Sequence, residues 1–105
     1  MIIKSENAGK KMFKGVSFDV LAVGLKSMVT RMNYIAGNFV PFHSHPNEQS
    51  GYVISGKYRI KFQDTDEILN PGDSYSVPEN TEHSLEVLQG GEVIDVFIPA
   101  REDYL

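Results

Sequence analysis

The side chains best able to do chemistry in this 105-residue chain are its three histidines. His43 and His45 stand one residue apart in "FVPFHSHP", and His83 opens "HSLEVL". Imidazole is the commonest metal ligand in proteins, and residues i and i+2 of a strand project to one side, so His43 and His45 can aim both rings at one ion. The chain has no cysteine, which excludes disulfides, thiolate chemistry and cysteine-held zinc, and leaves nitrogen and oxygen to hold any metal. A lone buried histidine is usually a hydrogen-bonded core residue. Three histidines on inward faces, two of them a His-x-His pair, favour a shared ion instead. Asp95 is the other unusual residue, because it interrupts the apolar run "VIDVFI" and a buried carboxylate is costly unless paired.

The elements that must carry these residues read as strands. "VSFDVLAV", "KSMVTRMNYI", "YVIS", "KYRIKF", "DSYSV", "HSLEVL" and "EVIDVFI" are short, rich in β-branched and aromatic residues, and often alternating. Turn signals separate them: "AGN" at 36–38, "SGK" at 55–57, "NPGD" at 70–73, "PENT" at 78–81 and "QGGE" at 89–92. The expected class is all-β, one domain over residues 1–105, built as a small antiparallel β-barrel or sandwich. Alternation groups Phe39, His43 and His45 on one face and His83, Leu85 and Val87 on another. It also sets Val93, Asp95 and Phe97 opposite the aliphatic row Ile94, Val96 and Ile98.

Composition removes several functions. A net charge of −4 with no Lys/Arg stripe gives nucleic acid no electrostatic footprint. No apolar run has membrane-spanning length, and "MIIKSENAGKKMF" lacks the apolar stretch of a secretory signal, so a cytoplasmic location is expected.

Two spaced sets of residues then stand out. Gly37, five residues, His43-x-His45, three residues, Gln49, six residues and Gly56 form one; Gly72, five residues, Pro78-x-Asn80, two residues, His83, three residues and Val87 form the other. Over residues 37–56 and 72–87 the chain resembles the cupin superfamily, small jelly-roll-like β-barrels marked by two metal-site motifs. Gln49 stands where the general pattern has Glu, Asn80 where it has Gly and Val87 where it has Asn. Asn, like Gly, accepts left-handed backbone. The ending "VIDVFIPAREDYL", with "HSHPNEQSGYVISG", further resembles cupins of the pectin-degradation KdgF type, which linearise unsaturated uronic acids.

The resemblance implies His43, His45, Gln49 and His83 as metal ligands and Asp95, Phe97 and Arg101 as catalytic pocket residues. Alternation favours Gln49 over Glu48 as the fourth ligand, since Gln49 shares a face with Gly51 and Val53. The implied cofactor is a divalent transition metal (Zn, Ni, Co, Mn or Fe), which imidazole and amide donors all accept. A neutral amide would leave the ion its full charge, suited to an anionic sugar, with Arg101 neutralising remaining charge and Asp95 moving a proton. Two other classes remain open here, a non-catalytic small-molecule or metal-binding sensor and a metal-dependent oxygenase. Metal binding is expected to weaken as pH falls through the ordinary histidine range near 6.5. Exposed sheet edges suggest a homodimer, with "MIIKSE" pairing to a partner's sheet and Ile94, Val96 and Ile98 covered by that contact or by the second sheet.

Overall fold

Alternating apolar side chains in short runs divided by Gly, Pro and Asn produce strands that must each bury one face. A computed structural model describes all 105 residues and contains ten of them. They are β1 (Gly9–Phe13), β2 (Val16–Val23), β3 (Met28–Tyr34), β4 (Phe39–His43), β5 (Glu48–Val53), β6 (Lys57–Phe62), β7 (Thr65–Leu69), β8 (Ser74–Val77), β9 (His83–Gln89) and β10 (Gly91–Ile98). Single 3₁₀ turns at Ser5–Asn7 and Glu102–Tyr104 lie near the two ends. No helix is long and apolar enough to cross a membrane.

All pairings are antiparallel, in a six-stranded sheet ordered β1-β2-β3-β10-β5-β8 and a four-stranded sheet ordered β4-β9-β6-β7. Hydrogen bonding does not run round from one sheet to the other, so the expected barrel takes the form of a jelly-roll-like sandwich with four edge strands. Between the sheets lies a core of 16 residues, among them Phe18, Met28, Val53, Tyr58, Val77, Val93 and Phe97. The seven named come from the inward faces of alternating strands.

The strands not anticipated, β1 "GKKMF" and β7 "TDEIL", are both edge strands with mostly exposed side chains. Edge strands carry charge to discourage further pairing, and charge hides the apolar alternation. β4 corrects a face assignment. Phe39 is 54% exposed and Val40 is buried, opposite to the simple alternation. The register shifts between Val40 and His43, around Pro41, which has no N–H to give a ladder. That irregularity turns His43 back inward, and His45 lies beyond the strand, in the loop to β5. "MIIKSE" forms no strand; Met1 Sδ instead lies 3.3 Å from the Val23 amide.

Candidate metal centre

One end of the sandwich gathers the chemistry. On the four-stranded sheet His43, ending β4, is the register partner of His83, starting β9. On the facing sheet Gln49, near the start of β5, is the partner of Phe97, near the end of β10. Two hydrogen bonds to backbone carbonyls close this end: the Asn80 backbone N–H donates to His45 O at 2.8 Å, and Asn47 Nδ2 donates to Pro99 O at 2.6 Å. Asn80 makes the first tie from left-handed backbone, with φ of 57°.

The three imidazoles converge, with ring centroids 4.3 to 5.6 Å apart and ligand atoms within 4.8 Å of one another. Each Nδ1 faces a backbone carbonyl: Pro41 O at 3.0 Å for His43, Asn47 O at 2.9 Å for His45 and Thr81 O at 2.8 Å for His83. A carbonyl only accepts, so each Nδ1 carries the proton and each Nε2 presents its lone pair inward. His83 Nε2 is buried without any partner. His45 Nε2 faces Gln49 Oε1 at 3.1 Å, two lone pairs together with no proton between them. Neighbouring ligands bound at about 2.1 Å to one ion lie about 3 Å apart, so a cation relieves both the orphaned nitrogen and the opposed pair. Burial lowers the pKa of His43 and His45, and that of His83 to about 4, with Arg101 adding to the effect at each. All three are thus neutral, the ligating form, at neutral pH. The donor set fits a divalent transition metal.

Around this point stand the other expected residues. Asp95, 1% exposed, accepts a 2.5 Å hydrogen bond from Tyr75 Oη. Burial pushes its carboxyl up to about 6, opposed by Tyr75, Gln49 and Arg101. Phe97 is buried edge-on to His45 with centroids 5.7 Å apart. Arg101 is 4% exposed, its guanidinium 3.9 Å from the Tyr104 ring centroid and flanked by Phe13 and Phe97. Gln49 points inward and Glu48 outward. His43, Gln49, His83, Tyr75, Asp95, Phe97 and Arg101 all line one narrow interior cavity of about 30 Å³. Outside it His45 and Arg101 open onto a polar groove of about 500 Å³ between residues 44–47 and 99–103. The groove's size is that of a small-molecule site.

A family model described as "Cupin domain" matches residues 30–97. The chain belongs to the cupin family. Among solved structures this cupin is similar to an RmlC-like cupin from Shewanella frigidimarina, at 27% identity and a TM-score of 0.91, covering 99% of this chain and 95% of that one. It is also similar to KdgF from Halomonas sp., at 26% identity and a TM-score of 0.86, covering 98% and 97%. Among curated proteins it is similar to the acireductone dioxygenase of Bacillus licheniformis, 31% identical over 81 residues, 72% of this chain and 45% of that protein. That of Exiguobacterium sibiricum is 30% identical over 87 residues, 77% and 48%. The cupin spans about half the length of these curated relatives.

Sequence reasoning missed Tyr75, Asp103, Tyr104 and Phe13. Alternation in "DSYSV" does turn Tyr75 inward with Val77, but only the β5–β8 pairing aims it at Asp95. Arg101 is not a free cation: Asp103 accepts from its Nε at 3.0 Å and its Nη2 at 2.6 Å, and Tyr104 Oη accepts from Nη1 at 3.0 Å.

Proposed function

We propose that this cupin is a metal-dependent isomerase that opens unsaturated uronic acid rings to their linear ketone form. The observation that carries this reading is the convergence of one buried carboxylate and one buried guanidinium on the cavity lined by His43, His83 and Gln49, beside the three-histidine cluster. The likeness to KdgF supports it.

A divalent ion held by His43, His45, His83 and Gln49 supplies Lewis acidity and a seat for an anionic oxygen. The rest falls to the chain's own residues. The polar groove takes the sugar, and Arg101 binds its carboxylate by exchanging Asp103, whose side chain is 55% exposed and can swing away. Phe97 walls the cavity, with the Arg101 guanidinium over its ring. Asp95, with a carboxyl near 6, is suited to take and return a proton. The anomeric hydroxyl loses its proton to Asp95 as the bond from C1 to the ring oxygen breaks, giving an aldehyde at C1 and an enolate at C5. The same proton returned to C4 converts the enolate to the ketone. The change is an isomerisation, so no oxidant or second substrate is needed.

A homodimer belongs to the same reading. Ile94, Val96 and Ile98 face outward on the six-stranded sheet beside Val29 and Tyr52, with Ile98 49% exposed, an apolar row suited to a second copy. A second functional reading, a metal-dependent oxygenase, draws on the acireductone dioxygenase likeness. Against it, no carboxylate joins the three histidines. The test is incubation of metal-loaded protein with 4,5-unsaturated galacturonate, following loss of the ring alkene by ultraviolet absorbance and NMR. Absence of turnover sinks the isomerase, and oxygen uptake with Fe(II) substitutes the oxygenase.

A further inference from the structure

Gln49 is the one donor in the proposed ligand set with two unlike ends. Its carbonyl oxygen ligates a metal and its NH₂ does not, yet an amide fits a site either way round. Something must choose the orientation. Gln49 Nε2 lies 3.4 Å from Tyr75 Oη, a long contact, and Tyr75 Oη gives its only proton to Asp95 Oδ1 at 2.5 Å. That distance is in the range of a hydroxyl donating to an ionised carboxylate. With its proton committed, Tyr75 Oη has only lone pairs to offer Gln49. The Asp95 carboxylate also faces the Gln49 amide, and it too only accepts. A reversed amide would press Oε1 against two acceptors, so the NH₂ is held on that side and Oε1 is left 3.1 Å from His45 Nε2.

We infer that Tyr75 and Asp95 together lock the orientation of Gln49, holding its carbonyl oxygen toward the metal. Tyr75 is a positioning residue that acts through Gln49. The lock depends on a row across three strands, where Asp95 on β10, Gly51 on β5 and Tyr75 on β8 are successive register partners. Because Gly51 has no side chain, the Tyr75 ring lies across β5 and reaches Asp95 two strands away; a Cβ at Gly51 would lie 2.3 to 2.5 Å from Tyr75 Cζ, Cε1 and Oη, too close to fit. Asp95 thereby has work in the metal site separate from any proton transfer to substrate.

This inference rests on Gln49 as a ligand, and the experiment separates the two ideas. Cobalt(II) affinity of metal-free protein is measured by competition with a chromophoric chelator at pH 7.5, for the unmutated chain, Tyr75→Phe, Gln49→Ala and the double variant. Tyr75→Phe keeps the ring and the net charge, and its folding is checked by circular dichroism. The expected result is about a tenfold weakening in Tyr75→Phe, the low end for partners of metal ligands. In the Gln49→Ala background the same change should add almost nothing. Tyr75→Phe binding cobalt within about twofold of the unmutated chain overturns the lock, as does an equal loss in both backgrounds. If Gln49→Ala itself binds as tightly as the unmutated chain, Gln49 is not a ligand and the inference falls at its premise.

Discussion

Gly51→Ala is the most telling single change in this fold, because it adds one methyl group to the middle of the row Asp95–Gly51–Tyr75. The new Cβ would overlap Tyr75 Cζ and Cε1 and sit 2.5 Å from Oη, so the ring has to move. Gly51 does not use positive-φ backbone, and alanine brings no conformational strain of its own. Displacing the ring removes the hydroxyl that Asp95 accepts from, and Asp95 is 1% exposed. A hydrogen bond to a charged group contributes about 1.5–3 kcal/mol, and overpacking costs roughly 1–3 kcal/mol, so a loss of about 3 kcal/mol is expected. In a chain of this size that lowers Tm by roughly 12–24 °C. The assay is thermal unfolding of metal-free protein by circular dichroism, in the native and the Tyr75→Ala backgrounds. With no ring to strike, Gly51→Ala should be nearly neutral in the second background, within about 0.5 kcal/mol. Equal destabilisation in both backgrounds refutes the steric argument.

Elemental analysis should find stoichiometric metal lost in His43→Ala and His83→Ala with the β-fold retained, and only weakened binding in Gln49→Ala, since apolar strand faces supply most of the stability. Because burial lowers all three histidine pKa values, their neutral form persists below the ordinary range, and metal affinity should stay flat to about pH 6.5 and fall only at lower pH; loss beginning above pH 7 contradicts this. Asp103→Asn should free Arg101 and lower KM for the unsaturated uronate by up to about fivefold, the worth of a partly exposed ion pair, as read from initial rates. A rise in KM would instead make Asp103 the brace that aims Arg101. Light scattering at micromolar concentration should give a dimer for the unmutated chain and a monomer for Ile98→Glu, and a monomer for both removes the dimer.

Much of this protein is legible along the chain because strand geometry is local. Successive side chains alternate whatever the rest of the molecule does, so "HSLEVL" turns His83 inward with Leu85 and Val87, and "VIDVFI" turns Asp95 and Phe97 into the core. The spacing of His43, His45, Gln49 and His83 likewise survives any detail of packing, and with it the cupin resemblance. Alternation failed at β4, where Pro41 breaks the ladder and the irregularity, not the period of two, returns His43 to the interior. What only the tertiary structure decided is which strands lie side by side. A period of two says which face a residue occupies but carries no information about its neighbour across the sheet. Tyr75 and Asp95 are 20 residues apart in sequence and meet because β5 lies between β8 and β10. Arg101 could be read as a free cation until its chain turned through Glu102–Tyr104 and set Asp103 and Tyr104 around it. The histidines came together for the same reason: the apolar faces had to be buried against one another, and the pairing that buries them brings the end of β4, the loop before β5 and the start of β9 to one point.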